Sequence, residues 1–319
     1  MSRIAMLGAG TMGHALALVF ALGGHAVSLT DNDAGALGRA GSLMEQALTT
    51  LRDAGLVDAS WQAGRLHQAV RRVPDLKAAL ADADIIVEAI SEQPEAKRAL
   101  YATIDRLAPP QVILASNTSY LDVFPLIPQG RLRRALITHW YTPPYLVDLV
   151  DVVGSPETDP AVVEEMRALV AAMGKVPVVM RRFIPGYIAN RIQSAMSLEV
   201  NRLLDEGYAS AREIDDAVIH GLALRLPILG VLAKADFTGL SLLADALGNS
   251  PYEPPPGGKR STTLDGLVAQ GRDGVLSGRG YFDWNENPAT LFAERDRRLI
   301  ALKQALKTIG GPIRPKDQA

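Results

Sequence analysis

The sequence predicts an α/β protein in which a doubly wound, mainly parallel sheet of the Rossmann type is followed by an all-helical C-terminal domain. Three observations lead to this prediction. Short apolar runs alternate with amphipathic stretches through the first half, a glycine-rich turn follows the first apolar run, and no convincing strand pattern follows Phe183. Apolar runs of this kind are typical of parallel strands that helices cover on both faces.

The first half contains eight short segments with the length and apolar character of buried strands. They are Ile4–Leu7, Ala26–Thr30, Val70–Val73, Ile85–Ala89, Val112–Ala115, Ala135–Thr138, Val147–Val153 and Val176–Met180. Helical patterns lie between them, and clear examples are Pro94–Leu107 and Pro160–Met173. This alternation predicts βαβ units and therefore a parallel sheet.

The second half is predicted to be helical. Pro185 and Gly186 open a long helical pattern that runs to about Asp205, with the proline near the first turn, where its missing N–H costs little. Further helices are predicted at Ala211–His220, Leu226–Ala246, Thr262–Gln270 and Pro288–Ile309. The Pro/Gly-rich segment Asn249–Arg260 is predicted to be a loop. We therefore expect one domain at residues 1–183 and a second, helical domain at residues 184–319.

Composition narrows the possible partners. The chain of 319 residues has a formal net charge of −2, so no overall positive field favours nucleic acid or an anionic membrane. It has no cysteine, which excludes disulfides, thiolate zinc sites and cysteine nucleophiles and fits a cytoplasmic location. The apolar stretch Met12–Leu22 is shorter than the roughly 20 residues that a membrane span needs. We expect no metal site and neither nucleic acid nor a membrane as partner.

A glycine fingerprint follows the first predicted strand. Gly8, Gly10 and Gly13 have the spacing G-x-G-x-x-G, with Thr11 and Met12 between the last two. In this motif the first glycine makes the tight turn, the second lets the backbone approach a pyrophosphate, and the third lets the helix pack on the strand. The N-terminus of that helix offers free N–H groups to the phosphates. These five residues are therefore candidate cofactor-binding residues.

The second predicted strand ends at an acidic residue, Asp31, which lies 18 residues after Gly13. A carboxylate at about this spacing accepts hydrogen bonds from the ribose 2′-hydroxyl and repels a 2′-phosphate. Asn32 and Asp33 follow, and no arginine stands beside them. The sequence therefore predicts that the cofactor is NAD rather than NADP.

Hydride transfer from an alcohol to a nicotinamide needs a group that takes up the hydroxyl proton, and histidine titrates near neutral pH. The chain has five histidines, namely His14, His25, His67, His139 and His220. We expect structural or surface roles for four of them, which lie in helical patterns or in a turn. His139 ends an apolar strand, and ligands of open α/β sheets bind beyond the carboxyl ends of the strands. His139 is therefore the candidate general base.

The next predicted strand carries two acids, Asp148 and Asp151, either of which could orient the imidazole. Three residues apart on a regular strand, their side chains point to opposite faces, so only one can face His139.

Two sets of small polar residues are further candidates. The run Ser116–Ser119 follows a strand but would also suit a helix-capping turn, and the stripe through Asn190, at helical spacing, suits a cleft but could arise by chance.

Six ordered motifs resemble the 3-hydroxyacyl-CoA dehydrogenase family, and the resemblance covers nearly the whole chain. They are GAGTMG at 8–13, VEAISEQPEAK at 87–97, ASNTS at 115–119, HWYTPP at 139–144, LVDVV at 149–153 and PGYIANR at 185–191. The resemblance implies an NAD-dependent dehydrogenase that oxidises a secondary alcohol beta to a carbonyl or carboxylate. It also implies a homodimer formed through the helical domain.

The resemblance implies roles for individual residues. His139 would be the general base, and Asp151 its orienting carboxylate; Ser119 and Asn190 would hold the substrate oxygen. Three more residues would line the cofactor site: Glu92 and Lys97 at the nicotinamide-side ribose, and Asn117.

The chain departs from the family pattern at two positions. The family usually has glutamate where this chain has Asp151, which is one methylene shorter, and asparagine where it has Thr142. Arginine and lysine are also sparse where the phosphates of coenzyme A would need them. Between Ala34 and Gln68 the only basic residues of these two kinds are Arg39, Arg52 and Arg65.

Other functions remain open at this point. One is the dehydrogenation of a small hydroxy acid of the gulonate, carnitine or pyridine type, in place of a CoA thioester. Another is a non-catalytic NAD-binding role like that of a crystallin. A hydroxyacid dehydrogenase of the phosphogluconate type would use a helical lysine, and the predicted helix between Gly186 and Asp205 has none.

Overall fold

The computed structural model describes residues 1–249, 252–258 and 260–313. The chain divides into two compact units, Met1–Arg191 and Ile192–Ala319, each described by itself below. The predicted boundary at 183/184 stays a prediction. Parts of two predicted features lie outside the described residues: Ser250, Pro251 and Lys259 of the predicted loop, and positions 314–319 of the predicted helical domain.

The first unit is built around eight strands. In chain order they are β1 (Arg3–Leu7), β2 (Ala26–Thr30), β3 (Val70–Arg72), β4 (Ile85–Glu88), β5 (Ile113–Ser116), β6 (Ala135–Trp140), β7 (Leu149–Gly154) and β8 (Val176–Met180). The helices between them are α1 (Gly13–Leu22), α2 (Ala34–Asp53), α3 (Ala63–Ala69), α4 (Leu76–Leu80), α5 (Pro94–Leu107) and α6 (Pro160–Ala172).

The strands form one sheet in the order β3-β2-β1-β4-β5-β6-β7-β8. The strand order reverses between β1 and β4, as it does in dinucleotide-binding folds, and all pairs are parallel except β6 with β7. The predicted doubly wound, mainly parallel sheet is therefore confirmed. The central strands are apolar because both of their faces are buried; β1 beyond Arg3, β4 and β5 are buried at every position.

Several predicted element ends were wrong by one or two residues, and one helix start was wrong by more. The long helix α7 (Ala189–Asp205) does not start at Pro185 and Gly186. Gly186 and Tyr187 have φ of 80° and 50°, in the left-handed region, so the backbone cannot enter a right-handed helix until it has passed them. The resulting turn buries Tyr187 completely.

The second unit is helical in the residues that the structure describes. After α7 come α8 (Ala211–Asp216), α9 (Leu226–Thr238), α10 (Leu240–Asn249), α11 (Thr262–Ala269) and α12 (Pro288–Ile309). The prediction of one helix at Leu226–Ala246 was wrong. Gly230 and Gly239 have φ of 70° and 101°, so the backbone is non-helical at both residues and the predicted helix is interrupted there.

The predicted helix Ala211–His220 also changes form part-way. Its α-helical part ends at Asp216 and continues as a π-helical turn over Ala217–Leu222. Among the described residues, one helical stretch, Ala211–Thr238, is long and apolar enough to cross a membrane by length and composition. Such a stretch is weak evidence for a membrane span, and the left-handed Gly230 breaks its regular backbone.

Candidate active site

A cleft of about 560 Å³ opens at the carboxyl ends of β1, β2 and β4. This is the edge of the sheet where the strand order reverses and where ligands of this fold bind. Residues of the fingerprint and of the three strand ends line it. Among them are Leu7, Gly8, Gly10, Thr30, Asp31, Asn32, Ala89, Ile90 and Ser91.

The three fingerprint glycines meet different constraints. A Cβ on Gly8 would lie 2.6 Å from the carbonyl oxygen of Ala89, and one on Gly13 would lie 1.8 Å from the carbonyl oxygen of Gly8. Gly8 and Gly13 are thus required by the close approach of strand, turn and helix. A Cβ on Gly10 would have nothing within 4 Å, so the space over Gly10 belongs to the cleft. This arrangement fits the pyrophosphate of a dinucleotide.

Asp31 ties the fingerprint turn to the end of β2. Its Oδ2 accepts a hydrogen bond from the Ala9 N–H at 2.6 Å, and its Oδ1 accepts one from the Asp33 N–H at 2.8 Å. The carboxylate therefore lies beside the glycine turn, in the lining of the cleft. An acid held in this position fits the ribose hydroxyls of NAD and disfavours a 2′-phosphate.

His139 and Asp151 lie opposite each other on the antiparallel strands β6 and β7. The imidazole Nδ1 is 3.2 Å from Asp151 Oδ2, and both residues are buried, with 3% and 0% of their surface exposed. A carboxylate that accepts the Nδ1 proton fixes the imidazole tautomer and stabilises the imidazolium. His139 can then exchange a proton through Nε2.

The other candidate acid, Asp148, faces a different partner. Lys175 Nζ lies 3.3 Å from Asp148 Oδ1 and donates to the carbonyl oxygens of Pro144 and Val147 at 2.7 and 3.0 Å. The expected division of the two acids between different environments is thus what the structure shows. Asp148 pairs with Lys175, which holds the chain between β6 and β7, while Asp151 faces His139.

Two tyrosines that sequence reasoning did not single out enclose the imidazole. The Tyr187 ring stacks on His139 with a centroid distance of 4.5 Å and an angle of 25°, and Tyr141 meets it edge-on at 4.5 Å and 69°. Burial raises the pKa of Tyr141, and its hydrogen bond to Asp151 raises it further; burial also raises the pKa of Tyr187. Both hydroxyls therefore keep their protons at neutral pH. The Tyr187 hydroxyl donates to the Thr118 carbonyl oxygen at 2.5 Å.

Glu92 organises the loop that carries Ser119. Its Oε1 accepts the Thr118 hydroxyl at 2.7 Å and the backbone N–H groups of Ser119, Tyr120 and Leu121 at 2.7, 2.9 and 3.3 Å. Desolvation alone would raise the pKa of Glu92, but these hydrogen bonds and the nearby charge of Lys97 together hold it below its ordinary value. Glu92 therefore stands as a carboxylate that places the half-buried Ser119.

Lys97 lies in a buried polar cluster centred on Glu88, a residue that the sequence analysis missed. Its ammonium is 2.7 Å from Glu88 Oε1 and 3.5 Å from Glu92 Oε2, and 1% of the side chain is exposed. Glu88 Oε2 also accepts the hydroxyls of Tyr101 and Ser116 at 2.6 and 2.7 Å. The signal for Glu88 was a charged residue that closes an apolar strand. Contact of Lys97 or Glu92 with a ribose stays a prediction.

Asn117 and Thr142 flank the histidine strand. The Asn117 side-chain oxygen accepts the Trp140 N–H at 2.9 Å and so fixes the end of β6, next to His139. The Thr142 hydroxyl donates to Met12 Sδ at 3.1 Å, which joins the chain after β6 to the start of α1. Thr142 thus contacts the fingerprint, although it departs from the asparagine usual in the family.

Asn190 lies in the first turn of α7 and is half-buried. The backbone of Asn190 acts on the Tyr141 hydroxyl in the direction that lowers its pKa, which indicates that the start of α7 lies near the tyrosines around His139. Ser119, also half-buried, reaches the site from the loop after β5. The proposed substrate-oxygen roles of Ser119 and Asn190 stay predictions.

A dinucleotide cleft and a buried histidine–carboxylate pair at the same edge of one sheet are typical of an NAD-dependent dehydrogenase. Two family models match the chain: "3-hydroxyacyl-CoA dehydrogenase, NAD binding domain" over residues 3–183 and "3-hydroxyacyl-CoA dehydrogenase, C-terminal domain" over residues 186–284. The chain therefore belongs to the 3-hydroxyacyl-CoA dehydrogenase family, as its six motifs predicted.

Relatives with other substrates are similar along almost the whole chain. A 5-formyl-3-hydroxy-2-methylpyridine 4-carboxylate 5-dehydrogenase of Mesorhizobium japonicum is 30% identical to this chain. The match covers 96% of this chain and 98% of that enzyme. An L-carnitine dehydrogenase of Nocardiopsis dassonvillei is 31% identical, with 96% and 92% covered. A crystal structure of the pyridine-type enzyme, described as an NAD⁺-dependent dismutase, matches with a TM-score of 0.85, 28% identity and coverage of 96% and 99%.

We predict that Glu92→Gln loosens the loop that carries Ser119 and lowers the melting temperature at neutral pH by about 2–4 °C, because a charge-assisted hydrogen-bond set is weakened. Since the folded-state pKa of Glu92 lies below its ordinary value of 4.5, its stabilising contribution is present above that pH and is lost as the pH falls through the folded value. The difference between the two proteins should therefore narrow in acid. Melting curves from neutral to acidic pH test this, with the exposed Glu157→Gln as control. A difference that does not change with pH contradicts the assignment.

Proposed function

We propose that this protein oxidises the secondary alcohol of a small hydroxy acid with NAD and that CoA thioesters are not its principal substrates. The buried His139–Asp151 pair, at the sheet edge where the dinucleotide cleft opens, is the observation that supports dehydrogenation. When bound, NAD supplies the acceptor for the hydride that leaves the alcohol carbon. His139 takes the hydroxyl proton at Nε2, and Asp151 stabilises the imidazolium through Nδ1. Ser119 and Asn190 hold the substrate oxygen. In the reverse direction His139 returns the proton.

The basic residues after β2 support a substrate without coenzyme A. Arg52 donates to the Gln62 side chain at 2.7 Å, and Arg65 donates to Ser60 and stacks over Trp61 at 4.4 Å. Arg39 lies 4.0 Å from Asp33, a surface pair. Each guanidinium thus has a partner within the chain, and three arginines without a lysine between Ala34 and Gln68 are few for the phosphates of coenzyme A. Relatives that act on carnitine and on a pyridine carboxylate show that the family includes substrates without coenzyme A.

Two other functions have less support. A dehydrogenase of the phosphogluconate type needs a helical lysine, and α7 has none in the sequence. A non-catalytic NAD-binding role, like that of a crystallin, would not require a histidine buried between two tyrosines and paired with a carboxylate. A cytoplasmic location, and the expectation that neither nucleic acid nor a membrane is a partner, stay predictions from composition.

We predict that the protein reduces NAD with at least one member of a panel of candidate substrates. The panel contains L-carnitine, small 3-hydroxy acids, carboxylate-bearing pyridine alcohols and aldehydes, and 3-hydroxyacyl-CoA thioesters. His139→Gln should lower kcat by about a thousandfold or more, because the general base is lost, and leave the affinity for NADH unchanged. NADH absorbance and NADH fluorescence titration measure the two effects. His220→Gln, an exposed histidine in the other unit, is the control. Normal turnover by His139→Gln would overturn the assignment. Greater activity on CoA thioesters would overturn the substrate class.

We also propose that the protein is a homodimer in which a second copy of the chain covers the apolar surface of the helical unit. α9, α10 and the turn before them expose large apolar side chains, and large exposed apolar patches mark interaction sites. The most exposed are Leu224, Leu232, Phe237 and Leu247, at 73%, 82%, 70% and 74%. Such a surface also accounts for an apolar stretch at Ala211–Thr238 without a membrane.

We expect sedimentation equilibrium to show a dimer and the double variant Leu224→Glu, Leu232→Glu to be monomeric, because two carboxylates cannot be buried unpaired in an apolar interface. NADH affinity should persist, since the cleft lies in the first unit. Val176→Glu, at an exposed apolar site on β8, should remain dimeric. A monomeric unmodified protein at micromolar concentration would contradict the proposal.

A further inference from the structure

The Asp151 carboxylate is fixed through one oxygen. Oδ2 accepts the Tyr141 hydroxyl at 2.7 Å and lies 3.2 Å from His139 Nδ1. Oδ1 is buried and, within the part of the chain that the structure describes, has no hydrogen-bond partner. The shorter of the two contacts is therefore with the tyrosine and not with the imidazole. Without that hydroxyl, the carboxylate would keep a single side-chain hydrogen bond within the described residues, which is the longer contact with His139.

Tyr141 is well placed to hold Asp151. Its ring packs edge-on against His139, and its hydroxyl reaches across to the same carboxylate that the imidazole faces. Burial and the adjacent Asp151 raise its pKa, so the hydroxyl remains a donor at neutral pH. The residue comes directly after β6 and only two positions after His139, so one short segment carries both donors to Asp151.

We propose that Tyr141 is a positioning residue for hydride transfer: its hydroxyl fixes the Asp151 carboxylate, which in turn holds His139 in the tautomer with the proton on Nδ1. Nε2 is then free to take the substrate proton. The inference rests on the proposed role of His139 as general base. An aspartate is one methylene shorter than a glutamate, so its reach to the imidazole depends more strongly on a second contact. The hydroxyl of Tyr141 supplies that contact.

Three side chains surround the imidazole, and they come from three elements. Asp151 comes from β7, Tyr141 from the segment after β6, and Tyr187 from the turn before α7. Asp151 is the one acidic side chain among the three. A purely space-filling role for Tyr141 would depend on its ring and not on its hydroxyl. Tyr141→Phe separates the two roles, because it keeps the ring and removes the donor.

The imidazole tautomer tests the inference without any turnover. The protein has five histidines, so ¹⁵N labelling of histidine gives few signals, and His139→Gln identifies the one that belongs to His139. At mildly alkaline pH the unmodified protein should show the Nδ1–H form, and Tyr141→Phe should show a mixture with the Nε2–H form. Adding Asp151→Glu to Tyr141→Phe should restore the Nδ1–H form, because the longer side chain reaches the imidazole unaided. Tyr208→Phe, at a tyrosine that is 71% exposed, should match the unmodified protein.

Kinetics give the second readout, with the best alcohol of the panel as substrate. Tyr141→Phe should lower kcat by about tenfold to a hundredfold with little change in the KM for NAD, because a hydrogen bond to a charged group is lost. In the Asp151→Glu background the same change should cost less than about threefold, since the two sites are coupled. The same tautomer in the unmodified protein and in Tyr141→Phe, or equal losses in both backgrounds, would overturn the inference.

The two proposals fail in different ways. If His139→Gln is inactive and Tyr141→Phe changes neither the tautomer nor kcat, the positioning role is wrong and the proposed function stands. If Tyr141→Phe changes the tautomer but no alcohol of the panel is oxidised by the unmodified protein, the proposed function is wrong and the hydroxyl's hold on Asp151 and His139 stands.

Discussion

The pairing of His139 with Asp151 is the interaction on which the rest of the site depends, and it is set by strand direction. β6 and β7 are the one antiparallel pair of the sheet, and their register places the two residues directly opposite each other. Partners in this position project to the same face with Cβ atoms about 5 Å apart, which is close enough for a short acid to face an imidazole. The same reversal brings the start of β7 to the carboxyl edge, where the cofactor cleft opens. The cleft and the His139–Asp151 pair thus share one edge of one sheet.

A second constraint is the cost of burying charge at this edge. Glu88, Lys97 and Asp151 are all buried, and each is paired or hydrogen-bonded. Removing a partner from such a group leaves an uncompensated charge, which costs far more than a surface pair contributes. The cluster around Glu88 therefore holds the ends of β4, β5 and α5 together, and Glu92 extends that hold to the loop that carries Ser119. Glu92 thus ties this loop to the buried cluster.

Much of the fold could be predicted because local pattern and tertiary structure agree. β2, β8, α5 and α12 begin and end at the predicted residues, since each has an apolar period and clear breakers at its ends. The expected split of Asp148 and Asp151 between different environments is observed, although Asp148 lies just before β7 and not on it. The antiparallel direction of β7 could not be predicted from the sequence, because an apolar run has the same pattern in a parallel and in an antiparallel strand. Tyr141 and Glu88 were missed for a related reason: their partners, Asp151 and Ser116, lie 10 and 28 residues away and meet them only through register. The late start of α7 after Gly186 and the break at Gly230 depend on left-handed backbone conformations. A glycine in the sequence permits such a conformation but does not require it.

The central claim is that His139 exchanges the proton of the reacting oxygen while Asp151 holds its other nitrogen. The most direct measurement is a crystal structure of the protein with NADH and the oxidised product of its best substrate. Our account predicts that His139 Nε2 lies within about 2.6–3.2 Å of the carbonyl oxygen and that His139 Nδ1 remains hydrogen-bonded to the Asp151 carboxylate. It also predicts that the carbonyl carbon faces the nicotinamide. A product whose carbonyl oxygen contacts neither His139 nor a water bound to it would contradict the account.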